Sequence, residues 1–505
     1  MQKMSGRKCE SRGAISAAMA SGALALLGQS FALSTEPKPQ MDWPMWGRTP
    51  SRNMVSPAQG APETFDPGRP GADGEIDPKS TKNVKWSVPL GSNAFGNPVV
   101  AGGRVYVGTN NEKPRDPTVQ GDFSILLCFE QATGKFLWQM ASPKLPGGDF
   151  VDFGAAGLCS TPTVEGDRLY LFTNRSEVIC LDDQGQAIWR YNMAGELGVS
   201  QLFQTAGSVL IVGDRLYAAT SNGQTADRSR IPSPKAPALI CLDKKTGKLL
   251  AREDSGICER MFYCNWCSPA LAKIGDRELI LFGGGDGFLY GFDPIPAVAP
   301  DGHGTLKELW RCDANPPQHE TRGGQPISYA NSGGPSEIIG MPVFVPTAQG
   351  GSAYVDVGQE SASGDGDGCL SCINVAKALA AGGDATKAAV KWRYPAIHRS
   401  ISTVAVAGGL VFAADIAGTL HCVDANTGKP YWTHETNSEC WSSPLVADGK
   451  VYLGNENGTL TVLEAAKGKK IVSEIALPGR ITCTPVIADG VMYIATESRL
   501  YAVGR

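Results

Sequence analysis

The chain has 505 residues, rich in glycine (61) and proline (34), and its 46 Lys and Arg against 50 Asp and Glu leave a net charge of −4. No basic tract breaks that balance, which excludes nucleic acid or an anionic membrane surface as the main partner. The length alone would suggest about three domains, but abundant turn residues and scarce helical periodicity point to an all-β protein built as one repeat architecture.

Taken in order, the chain opens on a targeting segment. Lys3, Arg7, Lys8 and Arg12 precede an apolar run from Ala14 to Leu27, and small residues follow around Ser30 to Ser34. This pattern predicts a secretory signal over residues 1–34, and hence an exported protein, periplasmic or extracellular. The run is too short and too broken by Gly and Ser for a transmembrane anchor, and no other stretch is long enough to span a bilayer. No Cys ends the run, so a lipid anchor is not indicated. Of 14 cysteines, 13 remain once Cys9 leaves with the signal. An oxidising compartment permits disulfides, and an odd count leaves at least one thiol unpaired. Residues 35–82 are Pro/Gly-rich and read as an extended arm, which Trp43-Pro44-Met45-Trp46 should pack onto the body.

From residue 83 to 505 the sequence repeats. Thr419 to Trp432 is the clearest unit: an alternating strand through Leu420, His421, Cys422 and Val423, a turn from Asp424 to Gly428, and a second strand anchored by Trp432. Glu130, Asp182, Asp243, Asp293, Asn374, Asp424 and Glu464 end the corresponding third strands, with Gly504 in the eighth slot. Asp424, Glu464 and Gly504 are spaced 40 residues apart. Aromatics (Tyr106, Tyr170, Tyr217, Tyr354, Phe412, Tyr452, Tyr493) and strand-opening prolines (Pro98, Pro162, Pro269, Pro342, Pro444, Pro485) mark the same units. These markers predict an eight-bladed β-propeller of four-stranded antiparallel blades. The chain ends after a third strand, and Val84 to Leu90 reads as a fourth. An N-terminal strand should therefore close the eighth blade and remove a sheet edge. Extra loops at Glu112–Asp122, Gly223–Pro237, Pro294–Thr305, Asn315–Ile339 and Ser361–Gly368 place the elaboration on one arc of the ring.

These repeats resemble the quinoprotein-type, or PQQ-like, propeller repeat. The tryptophan-docking pattern Asp-x-x-Thr-Gly-x-x-x-Trp is matched by Asp424, Thr427, Gly428 and Trp432. Glu130, Thr133, Gly134 and Trp138 match it with a departure, and Asp182, Gly185 and Trp189 with a shorter turn. The resemblance covers Val84 to Arg505. It implies either a quinone-dependent dehydrogenase or a non-catalytic exported propeller similar to the barrel-assembly type, and the Trp-Pro-x-Trp opening and dense cysteines favour the second. The dehydrogenases hold Ca²⁺ with carboxylate and amide ligands and bind PQQ with a catalytic Asp, an Arg and an indole floor, beneath adjacent cysteines. Trp266 could be such a floor and Arg399 such a cation, but no Cys-Cys dipeptide and no calcium set accompany them. No cofactor and no metal are therefore expected.

Candidate site residues lie just before the first strands, where they should ring one mouth of the channel: Asn265 and Trp266, His398 and Arg399, Glu439 and Trp441, and Arg480, with Phe153 and Glu337 in equivalent places. Cys128, Cys180, Cys241, Cys372 and Cys422 occupy equivalent strands too far apart to bridge, and read as small buried hydrophobes rather than metal ligands. Cys264 and Cys267 form a C-x-x-C, as do Cys369 and Cys372; a local disulfide at Cys264 and Cys267 is the alternative to free thiols. Asp365 to Gly368 and Gly283 to Gly287 lack the ligand count of a calcium loop and read as turns. The expected function is a non-catalytic binding or scaffold module, monomeric, for a protein partner or a small-molecule or glycan ligand. The alternatives are a PQQ-dependent dehydrogenase and a glycan-binding propeller with an aromatic mouth.

Overall fold

A computed structural model describes residues 41–72, 74–298 and 304–504; the signal expected over residues 1–34 lies outside them. Eight antiparallel sheets of four core strands surround a central channel, as the repeat markers require. Their innermost strands, in chain order, are Val99–Ala101, Thr163–Glu165, Leu210–Val212, Ala270–Ile274, Val343–Val345, Ala405–Ala407, Leu445–Ala447 and Val486–Ala488, which number the blades. Blade 8 takes its outer strand, Val84–Pro89, from the start of the ring. It pairs antiparallel with Arg499–Val503, Val84 opposite Val503 and Pro89 opposite Arg499. Closure is therefore non-covalent, as expected.

The local chemistry of each blade is legible in blade 6. Asp424 Oδ1 accepts from the backbone N–H of Asn426 and Thr427 and from the Thr427 hydroxyl, at 2.9–3.0 Å. That knits the turn, and Gly428 adopts φ 70° within it. A Cβ on Gly428 would come within 2.6 Å of the Trp392 ring from blade 5. Glycine is thus required both for the turn and for the approach of a neighbouring indole. Five indoles reach across in this way: Trp86, Trp138, Trp189, Trp392 and Trp432 each donate Nε1–H to a turn carbonyl on the following blade, at 2.9–3.1 Å. The repeat cysteines lie beneath them. Cys128, Cys180, Cys372 and Cys422 pair cross-strand with Trp138, Trp189, Trp392 and Trp432, where a small buried side chain leaves room for the ring.

A second ring of bonds surrounds the axis. The residues before the inner strands donate their N–H to a side chain of the next blade: Thr484 to Asn97, Asn97 to Thr161, Ser208 to Ser268, Met341 to Thr403, Thr403 to Ser443 and Ser443 to Thr484, at 2.7–3.1 Å.

The segment from Trp43 to Ser56 seals one end of the channel. It bonds to the inner strand, or the residue opening it, of every blade in turn. Trp43 exchanges two backbone bonds with Val100, and the carbonyls of Pro44, Pro50, Ser51 and Met54 accept from Val164, Leu271, Phe344 and Val446. Arg52 donates to the Val209 carbonyl, Asn53 to that of Val406, and Ser56 to that of Ile487. Arg52 is fully buried. Its guanidinium also donates to the carbonyls of Trp46, Ser208 and Pro269 at 3.0–3.3 Å. A buried charge is tolerable only when its donors are so satisfied.

The 1–2 and 3–4 strand turns share this sealed end, and the 2–3 and 4–1 loops form the opposite mouth. The insertions divide accordingly. Those at 112–122, 223–237, 315–339 and 361–368 lie at the mouth. The insertion at 294–305 does not: it is a 3–4 connection whose strand Gly304–Leu306 pairs parallel with Leu249–Glu253 and covers the outer edge of blade 3. In the 3–4 connection of blade 5, Gly383–Asp384 covers blade 4 likewise, by pairing with Glu308–Asp313. Both remove exposed sheet edges. Among the described residues, no helix is long and apolar enough to cross a membrane.

Candidate functional site

The mouth is built on two sides. Across blades 2 to 5 it is aromatic. Phe150 and Phe153, on the loop between blades 1 and 2, are 51 and 50% exposed. Phe203, on the next such loop, lies 5.5 Å from Phe150 and 6.1 Å from Phe153, ring centre to ring centre. The row continues from Phe203 to Trp266 (6.2 Å) and Tyr263 (6.3 Å), from Tyr263 to Tyr329 (6.2 Å), and ends on Phe262 stacked against Tyr329 at 5.5 Å.

These rings are held from below. The Phe153 N–H donates to the Phe203 carbonyl and the Phe203 N–H to that of Phe150, at 3.0 and 2.7 Å. Phe203 adopts φ +58°, a strained conformation for a bulky residue. Asp152, buried between them, accepts from Leu145 N–H, the Asn174 amide and the Gln204 amide at 2.6–3.1 Å. Beside Phe150 a cavity of about 510 Å³ opens along Gln201, Leu202 and the inserted loop residues Gln224 to Asp227, Ser229 and Arg230.

Across blades 7 and 8 the mouth is charged. Arg480 pairs with Glu497 at 2.6 Å and Glu456 at 3.5 Å and donates to Asn93 Oδ1 at 3.2 Å. Trp441 donates to Glu439 at 3.3 Å and lies 6.1 Å from Phe95.

The residues singled out in the sequence thus fall into separate places. Trp266 joins the aromatic row. Glu439, Trp441 and Arg480 belong to the charged side. Asn265 is fully buried. Its amide donates to the Asn222 carbonyl and accepts from Gly285 N–H at 2.9 Å, so it supports the turn and does not line the mouth. Arg399 is equally buried, its guanidinium on the carbonyls of Ser363 and Asn331. His398 is exposed; its Nδ1 lies 3.1 Å from Asp415 Oδ2, which also meets His421 Nε2 at 3.0 Å.

The C-x-x-C at Cys264 and Cys267 is not a disulfide in this structure. Every described cysteine is a free thiol, and the two side chains pack apart. Cys264 lies against Leu202 and Tyr263. Cys267 lies in the core of blades 3 to 5 with its Sγ 3.3 Å from the Gly340 carbonyl. The spacing that suggested a bridge spans the entry to an inner strand, where the chain turns from the mouth into the sheet. Cys440 and Cys483 are also buried and free.

Sequence reasoning missed Phe150, Phe203, Tyr263, Tyr329, Arg228 and Glu360. The run from Met261 to Trp266, with three aromatics in six residues, was the available signal. Arg228, on the inserted loop of blade 3, lies 4.8 Å above the Tyr263 ring and 5.7 Å from that of Tyr329. It pairs with Glu360 and donates to Ser363 Oγ at 2.9 Å. Glu337 lies beneath, fully buried, with Oε1 3.2 Å from the Tyr329 hydroxyl and Oε2 without a partner.

A quinone bridged to Ca²⁺ would need carboxylate and amide oxygens converging on one point. Among the described residues no three His, Cys, Asp or Glu side chains are so grouped. Glu360 is engaged by Arg228, and the Asn265 amide by Gly285. These residues do not fit the group.

Burial above all, with some help from nearby Glu360, raises the Glu337 carboxyl to about 8 against the pull of its own backbone N–H, the Tyr329 hydroxyl and Arg399. A carboxyl raised from 4.5 contributes stability that is intact below about pH 4.5 and is lost as the pH rises through about 8, because the unfolded chain ionises first. Glu337→Gln is therefore expected to raise Tm relative to wild type by more at pH 8 than at pH 5, as read by calorimetry. An equal difference at both pH values would contradict the assignment.

The chain is 33% identical over 102 residues to the outer membrane protein assembly factor BamB of Yersinia pestis, a stretch covering 18% of this chain and 26% of that protein. The crystal structure of BamB from Moraxella catarrhalis is similar in fold, with a TM-score of 0.51 at 14% identity, over 83% of this chain and 96% of that one. The computationally designed Ika8 protein reaches 0.50 at 11% identity, over 83% of this chain and all (100%) of the design. Residues 76–257 and 375–503, more than half of the sequence, match the family described as outer membrane protein assembly factor BamB, and the chain belongs to that family.

Proposed function

We propose that this member of the assembly-factor family is an exported, non-catalytic scaffold that binds a protein partner in outer-membrane protein assembly through the aromatic side of its mouth. The observation that carries the reading is the rigid display of Phe150 and Phe153. Two half-exposed phenyl rings are locked by backbone bonds to a strained Phe203 and held from behind by a buried carboxylate. Apolar rings held in one conformation lose little entropy on binding, which is the property of an interface anchor. The opposite end of the channel is filled by the chain's own arm. The mouth works without a redox cofactor in this reading: Glu360 is engaged by Arg228, and Glu456 and Glu497 by Arg480.

The test is a double substitution, Phe150→Ala with Phe153→Ala. It is expected to leave Tm within about 2 °C of wild type, since half-exposed side chains contribute little to folding. It should reduce co-purification of outer-membrane assembly proteins from the native envelope at least tenfold. Undiminished co-purification would sink the proposal.

A further inference from the structure

The inserted loop of blade 3 carries a side chain into the aromatic row that belongs to neither of the blades it touches. Arg228 leaves a loop exposed on both sides of it and holds φ +56°, a conformation uncommon outside glycine and kept where surrounding contacts impose it. Those contacts are two ring faces, Tyr263 and Tyr329, with the Glu360 carboxylate and the Ser363 hydroxyl. They compose a receptor for a planar cation: π faces attract its charge, and a carboxylate with a hydroxyl accepts its N–H groups. Below the rings, the unpartnered Oε2 of fully buried Glu337 adds an acceptor that the resident Arg228 leaves unused.

We propose that this slot over blade 4 is a binding site for an arginine side chain of the protein partner, and that Arg228 is its resident surrogate, displaced when the partner docks. The slot's chemistry is known from what fills it. The competitor is tethered on a short loop, so its effective concentration is of millimolar order. Free arginine-bearing ligands therefore compete poorly with wild type and well once Arg228 is gone. The proposal rests on the reading of the mouth as a protein-binding face.

The test uses the purified chain from about residue 35 and two probe peptides, acetyl-Gly-Arg-Gly-amide and the same peptide with uncharged citrulline in place of arginine. Calorimetry is expected to show that Arg228→Ala binds the arginine peptide at least tenfold tighter than wild type does, and at least tenfold tighter than it binds the citrulline peptide. Adding Glu360→Gln should remove that gain. Equal affinity in wild type and Arg228→Ala, or no preference for arginine over citrulline, would overturn the slot. Should the alanine variant fail to fold, Arg228→Gln removes the charge while keeping most of the aliphatic stem, and is read the same way. The peptide titration is independent of co-purification by the phenylalanine variants, so loss of the slot and loss of the partner surface are told apart.

Discussion

Arg52→Ala is expected to destabilise the protein by about 4 kcal/mol, since it leaves several buried carbonyls without donors around a new cavity. At about 2.1 cal/mol/K of unfolding entropy per residue, that is a fall in Tm of roughly 4 °C for a body of this size. The reason lies in what the side chain joins. Its donors reach Trp46 in the plug, Ser208 and Val209 on blade 3, and Pro269 on blade 4. Removing them unpins the segment that bonds to every blade at its inner strand or the residue opening it. Arg52→Lys should recover part of the loss, having three donors in place of five. Calorimetry checks the size of the effect. A variant within 1 °C of wild type would show that the plug is held by its backbone bonds alone.

Trp86→Ala is expected to cost about 3–5 kcal/mol, the usual range for removing a buried indole, with an effect on ring closure that other indoles lack. Trp86 lies on the strand that completes blade 8, opposite Ala502. Its ring packs 5.9 Å from Tyr493 and against Gly134 of blade 1. Its Nε1–H bonds to Gln131. Trp432 makes the same kind of contact between blades 6 and 7, through Ala466. Both substitutions should lower stability by similar amounts. Trp86→Ala should also speed hydrogen exchange of Val84–Pro89 and Arg499–Val503, where closure is non-covalent, and Trp432→Ala should not. Equal exchange in the two variants would contradict closure by this strand.

The blades were legible because their chemistry is local. Asp424, Thr427 and Gly428 make a turn among themselves, and Trp432 follows at a fixed distance. The closing strand was legible because its tryptophan follows the same rule. The plug was visible only as a Trp pair. Residues 43–56 pair with a different blade at nearly every step and do so largely through main-chain groups, which leave no periodic trace in the sequence. The ring of Asn97, Thr161, Ser268, Thr403, Ser443 and Thr484 escaped notice for a different reason. The prolines after five of these six residues drew attention, whereas the hydroxyl and amide groups before the inner strands make the interblade bonds.

The mouth was half legible. Trp266, Glu439, Trp441 and Arg480 stand where residues preceding an inner strand were expected. Asn265 and Arg399 occupy equivalent positions but turn inward, because the backbone there leaves N–H and C=O groups that a polar side chain must satisfy. Phe150, Phe203 and Arg228 come from loops whose lengths follow no repeat, and only the fold brings them together.

The most direct test of the central claim, that the aromatic mouth is the face that meets a protein, is site-specific photo-crosslinking in intact cells. A photoreactive phenylalanine analogue would replace either Phe153 at the mouth or Tyr431, 37% exposed and next to the 3–4 turn of blade 6 at the sealed end. Adducts with an outer-membrane assembly protein are expected from position 153 and none from position 431. Adducts from 431 with none from 153 would contradict that claim, placing the partner on the plugged face.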